Sequence, residues 1–169
     1  TAEGYRKDGG NVIEAYLSMK KPLTYTQEKF EKEELRQIIN RVVDLEIEKY
    51  EDEILDYKDG FLSNLVNTYS MSRESAIEEA VEMIDADNEL AVDEISELSN
   101  LTGEKLLVSN AVKNTLGYDG IEVKNFEDSD ATLYVAWFPE QIKSVENVGS
   151  FNPQDANILR QEKRGSIQF

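Results

Sequence analysis

The chain has 169 residues, with 35 acidic and 18 basic side chains, a net charge of −17 at pH 7, and neither histidine nor cysteine. This composition excludes disulfides, thiol nucleophiles, imidazole bases and metal sites built on cysteine or histidine, so any catalysis must use carboxylates, hydroxyls, amides or lysines. The acidic excess argues against direct binding to nucleic acid or to an anionic membrane. No apolar run of about 18 residues and no signal peptide is visible, so we expect a soluble, cytoplasmic protein.

The N-terminal stretch has the pattern of a strand. Residues 11–17 mix β-branched and aromatic side chains behind two glycines, and Pro22 ends this pattern. The chain then changes character between residues 27 and 100, which contain 22 acidic and seven basic side chains. Because this segment has no proline and is rich in Glu, Leu, Ile and Ala, it predicts helices.

Apolar side chains at three- and four-residue spacing divide the acidic segment into two or three helices. The first helix is predicted to begin after Thr26 and to end before Gly60, and residues 61–66 predict a short helix or turn. The next helix is predicted to begin with Ser72 as its N-cap. The buried stripes are predicted to contain Leu35, Ile38, Ile39, Val42 and Leu45, then Ala76, Ile77, Ala80, Val81 and Ile84, and then Leu90, Ala91, Ile95 and Leu98.

A further helix is predicted from about Thr102 to Leu116, with Gly117 as the residue that ends it. Its apolar positions are Leu106, Leu107, Ala111 and Leu116, with Asn110 among them. The next three residues, Tyr118-Asp119-Gly120, predict a turn in which Gly120 allows a positive φ or a close approach and Asp119 bonds to its own loop backbone. Two strand-like runs follow, at residues 120–124 and 132–138.

The acidity of residues 27–100 has two interpretations. The acidic side chains are either the solvated faces of amphipathic helices or a phosphate-mimicking surface that occupies the basic site of a nucleic-acid-binding partner. Basic residues such as Arg36 and Arg73 interrupt the acidic ones, which favours solvated faces. Residues 85–89 do not form an EF-hand, because the required glycine and glutamate are missing, and no metal site is predicted.

The C-terminal third carries a specific order of motifs. Residues 116–123 read LGYDGIEV, residues 133–144 read LYVAWFPEQIKS and residues 149–158 read GSFNPQDANI. This order resembles the C-terminal part of the ADP-ribosyltransferase-like domains found in large polyvalent proteins of phages and mobile elements. An earlier strand of the same family is similar to residues 11–23. The resemblance covers three stretches, residues 11–23, 106–124 and 132–158.

The patterns and the resemblance together predict an α+β fold. A small, mainly antiparallel sheet is expected to pack on helices, with a large acidic helical insertion. Its strands are expected near residues 11–17, 119–124 and 132–138, against the helix near 103–116. The predicted division is a split core at 1–26 and 101–158, an insertion at 27–100 and a tail at 159–169.

The resemblance implies NAD as co-substrate and a host macromolecule as acceptor of ADP-ribose. It places a histidine and a tyrosine that hold NAD on strands that would precede residue 11, and a glutamate often stands where this chain has Leu133. A carboxylate stabilises the positive charge that develops on the ribose when the nicotinamide bond breaks. These departures predict a fragment or a degenerate form. The alternative is a non-catalytic interaction module or acidic mimic that binds a basic host or phage protein through its helical segment.

Four residues near the last predicted strand are the site candidates. The catalytic candidates are Glu140 and Gln141, just after the strand, and Asp130, in the loop before it. The indole of Trp137 is the candidate for stacking on a ring of NAD. The structural interpretation of the same residues is a turn in which Gln141 bonds the backbone while Ile142 and Trp137 pack in the core.

Overall fold

The computed structural model describes residues 14–53, 61, 72–126 and 130–145. The elements in this part of the chain confirm the predicted α+β class. In chain order they are β1 (Ala15–Leu17), β2 (Leu23–Thr24), α1 (Lys32–Glu53), α2 (Arg73–Asp87), α3 (Ala91–Thr102), α4 (Lys105–Leu116), β3 (Gly120–Val123), β4 (Leu133–Ala136), a 3₁₀ turn (Pro139–Gln141) and β5 (Ile142–Ser144).

The chain divides into two compact units, and each unit has its own small sheet. The larger unit is Lys21–Val135, and the described part of the other is residues 14–20 and 136–145. In the larger unit the strand order is β2-β3-β4, and β2 runs parallel to β3 with Leu23 opposite Ile121. In the other unit β1 pairs antiparallel with β5. All three predicted strand positions are confirmed, but the strands lie in two sheets because β5 provides a partner for β1.

The helices of the larger unit form its core. Helix α1 contacts α2 and α4, and α3 also contacts α2 and α4. Nearly all predicted stripe positions of α1 to α3 are buried, with Leu45 and Leu90 only partly covered. Of the predicted 61–66 patch, only Phe61 lies among the described residues, and it is buried. The acidic helices and α4 share one core. The predicted boundary between core and insertion stays a prediction.

The helix ends follow local chemistry. The hydroxyl of Ser72 accepts a hydrogen bond from the Ser75 amide at 3.2 Å, which confirms the predicted N-cap of α2. Gly117 ends α4 with a φ of 79°, in the left-handed region that favours glycine. Leu106 is exposed on α4, because the inward face of this helix is formed by its neighbours. The buried apolar residues of α4 are Leu107, Val108, Ala111 and Val112.

Lys21, at the start of the larger unit, and Asp119, just before β3, are joined by a reciprocal pair of hydrogen bonds. The Lys21 amide donates to Asp119 Oδ1 at 3.0 Å, and the Asp119 amide donates to the Lys21 carbonyl at 3.1 Å. The Lys21 ammonium donates to the Leu116 carbonyl at 2.8 Å and lies 4.3 Å from the centre of the Tyr118 ring. Asp119 therefore bonds a residue 98 positions away in the chain, and the bond to its own loop stays a prediction.

The same contacts explain why the GYDG sequence follows a helix. Gly117 supplies the positive φ that had been predicted as one option for Gly120, and Gly120 itself is a buried strand residue. The Tyr118 hydroxyl accepts a hydrogen bond from the side-chain amide of Gln27 at 3.1 Å, and the Tyr118 ring packs near that of Phe30. The turn thus connects α4, β3 and the segment that precedes α1.

A fully buried carboxylate holds that segment against α3. Glu94 is 0% exposed, and its Oε2 accepts a hydrogen bond from the Phe30 amide at 2.7 Å. Its Oε1 has no hydrogen-bond partner in the described part of the chain. Burial raises the pKa of Glu94 from 4.5 to about 7, and the Asp85 carboxylate adds to this shift while the Phe30 amide opposes it.

In the ranges described, no helix is both long enough and apolar enough to cross a membrane.

The first prediction concerns the Asp119 carboxylate. Replacing Asp119 with alanine removes the charged acceptor of the part-buried Lys21 amide, so we expect a loss of about 1–3 kcal/mol in the free energy of unfolding, measured by urea denaturation. Asp119→Asn keeps an acceptor oxygen and is expected to lose clearly less. An equal loss in both variants would contradict the role assigned to this hydrogen bond.

The second prediction concerns pH. Below pH 4.5 Glu94 is protonated in both states, whereas between 4.5 and about 7 it ionises in the unfolded state first, so stability falls as pH rises through this window. The full cost is about 3 kcal/mol. Glu94→Gln is expected to remove this part of the pH dependence, measured as the difference between the stability curves of the two proteins. Parallel curves from pH 4.5 to 7 would contradict the shift.

Candidate active site

The predicted candidates Trp137, Glu140 and Gln141 lie on one short segment of the smaller unit. This segment runs from the end of β4 through the 3₁₀ turn into β5. Proline at the first position of the turn fixes its backbone φ. Antiparallel pairing holds β5 against β1, with Leu17 opposite Ile142, and the Ser18 amide extends this pairing with a 2.8 Å hydrogen bond to the Gln141 carbonyl.

The side chain of Gln141 stabilises the turn. Its Oε1 accepts a hydrogen bond from the Phe138 backbone amide at 2.9 Å, while the backbone amide of Gln141 donates to the Phe138 carbonyl at 3.1 Å. Both residues are buried. The structural interpretation of Gln141 as a residue that bonds the backbone is therefore confirmed by the geometry, and its amide oxygen is already engaged.

Glu140 presents a different environment in the same turn. It is partly exposed, and no ion pair or hydrogen bond of its carboxylate is recorded within the described ranges. Trp137 is also partly exposed, so part of its indole remains accessible to a planar ligand. The Glu140 carboxylate is therefore partly accessible to a ligand.

Asp130 belongs to a different unit from these residues. It is exposed in the loop before β4 and belongs to the larger unit, whereas the other three candidates belong to the smaller one.

Two buried polar residues on β5 were missed by the sequence analysis. Lys143 and Ser144 pair with Tyr16 and Ala15 of β1, and both side chains are buried and have interaction partners. Burial removes water from the Lys143 ammonium, and its interaction partners compensate for that loss. The sequence contains no signal for the burial of Lys143 and Ser144, because a run of three residues is too short for alternation to mark a strand.

A second polar cluster lies on the sheet of the larger unit. The Tyr134 hydroxyl donates to Glu122 Oε1 at 3.1 Å, and the Lys124 ammonium lies 3.2 Å from Glu122 Oε2. The hydrogen bond to Glu122 raises the pKa of Tyr134. Leu133, where the resemblance implies a glutamate, is the neighbour of Tyr134 and points to the opposite face of β4. The Glu122 carboxylate therefore does not replace a carboxylate at position 133.

The larger unit also contains a cleft of about 450 Å³ between α1 and α2. Its arginines are already paired, Arg36 with Glu78 and Arg73 with Asp44. The lining therefore offers little net positive charge to a phosphate group. In the described ranges, no three acidic side chains come together in a group that could hold a metal ion. The cleft is lined by Arg36, Asn40, Arg73, Glu74, Ile77 and Glu78.

The third prediction separates the structural role of Gln141 from a catalytic one. Gln141→Ala removes the acceptor of the buried Phe138 amide, so we expect that amide to exchange its hydrogen about 10 to 100 times faster in hydrogen-exchange measurements. Unchanged protection at Phe138 would contradict this role.

Comparisons with known proteins address the family. A family model described as ADP-ribosyltransferase in polyvalent proteins matches residues 1–151. No curated protein matches the chain. No solved structure matches it either. The matched range includes the GYDG turn, β4, the 3₁₀ turn with Glu140 and Gln141, and β5. Because the match spans most of the sequence, the chain belongs to the family of ADP-ribosyltransferases in polyvalent proteins.

Proposed function

We propose that the chain transfers ADP-ribose from NAD to a nucleophilic group on a macromolecule of a host cell. The observation that carries the proposal is the family match over residues 1–151, because the family implies NAD as the substrate. The host acceptor follows from the resemblance to proteins of phages and mobile elements. The expectation that the chain is a fragment or a degenerate form of such an enzyme stays a prediction.

The chemistry needs a carboxylate near the ribose. The bond from ribose C1′ to the nicotinamide nitrogen breaks, and its electron pair goes to that nitrogen. Positive charge develops on the ribose, then the acceptor forms a bond to C1′ and releases its proton to solvent. An ionised carboxylate stabilises this charge as it develops.

We assign this role to Glu140. The oxygen of Gln141 is engaged by the Phe138 amide, whereas the Glu140 carboxylate is partly exposed on the same turn. In this assignment Gln141 positions the turn that carries Glu140, and the accessible part of Trp137 stacks on a ring of NAD. Asp130 is the competing carboxylate, because it is exposed in the loop before β4.

The alternative of an acidic mimic has less support. Basic side chains pair with acidic ones across α1 and α2: Lys32 lies 2.8 Å from Glu82, and Arg73 lies 2.6 Å from Asp44. A mimic of nucleic acid needs a continuous negative face, and these cations interrupt that face. The pairs fit the solvated surfaces of packed helices, which contribute little individually to stability.

The fourth prediction tests the assignment of Glu140. Release of nicotinamide from NAD is measured by chromatography, because it reports bond cleavage whatever the acceptor is. Loss of electrostatic stabilisation at the reacting centre costs about 100-fold or more in rate, so Glu140→Gln is expected to release nicotinamide at least about 100 times more slowly. Glu79→Gln is the matched control, since Glu79 is an exposed glutamate on α2.

The control should stay within about twofold of the unsubstituted chain. Full activity of Glu140→Gln together with loss of activity in Asp130→Asn would transfer the role to Asp130. Absence of nicotinamide release from the unsubstituted chain would contradict the proposed function itself.

A further inference from the structure

Strand β4 is an apolar strand that is exposed on both faces. Leu133 is 40% exposed, Tyr134 46% and Val135 43%. Successive side chains of a strand point to opposite faces, so Leu133 and Val135 share one face and Tyr134 lies on the other. A sheet in a packed domain normally buries at least one face, and this strand therefore offers more apolar surface than the fold itself uses.

The backbone of β4 is open along one edge. In the order β2-β3-β4 the strand has β3 on one side only, and within the described ranges no backbone hydrogen bond joins Leu133–Val135 to any further strand. Edge strands usually carry a charge, a proline or a bulge that prevents pairing with another chain. Between Leu133 and Ala136 there is neither a charged residue nor a proline.

The charge around this edge selects the kind of strand that fits. Asp130, three residues before β4, is exposed, and the sequence before it contains Glu127 and Asp128. On the face of Tyr134, the Glu122 carboxylate accepts the hydroxyl hydrogen bond and is paired with the Lys124 ammonium at 3.2 Å. The exposed Asp130 is therefore the acidic residue that favours a basic strand. Two copies of a chain with a net charge of −17 repel each other, which disfavours a second copy as the occupant.

We propose that β4 is a docking edge for a basic, extended segment of a partner protein, which adds to the sheet as a further strand. The added strand takes main-chain hydrogen bonds from the open edge, and its apolar side chains cover Leu133, Tyr134 and Val135. Its basic side chains meet the exposed Asp130 before β4. The inference is independent of the NAD chemistry, since it concerns binding alone.

The test uses the full chain and a fluorescein-labelled nine-residue peptide in which lysine and valine alternate. A second peptide has the same sequence but carries N-methyl groups on alternate residues, which keep the charge and block strand pairing. Affinities are measured by fluorescence anisotropy in buffers of low and moderate salt. Each protein's thermal melt verifies that it is folded.

The matched protein variants are Val135→Lys and Leu106→Lys. Both place a lysine at an exposed apolar position of the larger unit, but Leu106 is 56% exposed on α4, away from the sheet. We expect the unmethylated peptide to bind the unsubstituted chain at least about ten times more tightly than the methylated one. Val135→Lys should weaken that binding by a similar factor, and Leu106→Lys should leave it within about twofold.

Three results would overturn the proposal. Equal affinities for the two peptides would show adsorption by charge alone, and absence of saturable binding would show that the edge does not recruit such a strand. A dimer in sedimentation experiments that Val135→Lys dissociates would make a second copy the occupant. The comparison of the two peptides on the unsubstituted chain keeps the test valid even if Val135→Lys fails to fold.

Discussion

The larger unit depends on the reciprocal hydrogen bonds between Lys21 and Asp119. They join two segments that are 98 residues apart, and the parallel pairing of Leu23 and Thr24 with β3 continues from them. Every helix of the described chain lies between these two segments, so closing this contact fixes where the helical core begins and ends. The Tyr118 ring next to Asp119 carries the constraint further, because Phe30 packs near it and Glu94 in turn binds the Phe30 amide.

The helical part of this fold is predictable because its signals are local. The three- and four-residue spacing from Leu35 to Val42 describes one face of a helix, and Ser72 and Gly117 act within a turn of their own positions. The sheets are less predictable because strand partners are distant in sequence. Nothing near Ala15–Leu17 indicates that its partner is the run Ile142–Ser144, which follows a turn and is only three residues long. A strand this short has too few residues for alternation to distinguish it from a loop.

The candidate site shows the same division. The sequence identifies the residue types that ADP-ribosyl transfer needs, and it places Glu140 and Gln141 side by side. It does not indicate which of the two faces outward, because that depends on the 2.9 Å hydrogen bond from the Phe138 amide and on the proline that shapes the turn. Burial of Lys143 is likewise a property of the folded unit, since a lysine in isolation predicts a solvated side chain. The acidity of the helices follows from solvation, with cations such as Arg73 and Lys32 paired among the carboxylates.

The proposed activity requires that the chain binds NAD. A thermal-melt titration of the purified chain with NAD measures this binding. Acetate at matched ionic strength serves as the control for screening of the charged surface. Ligand at about one hundred times its dissociation constant adds roughly 2.7 kcal/mol to the native state, which for a chain of this size raises the midpoint by about 5 to 10 °C. We expect the melting midpoint to rise saturably with NAD and to stay unchanged with acetate. A midpoint that does not move up to millimolar NAD would contradict the binding of NAD.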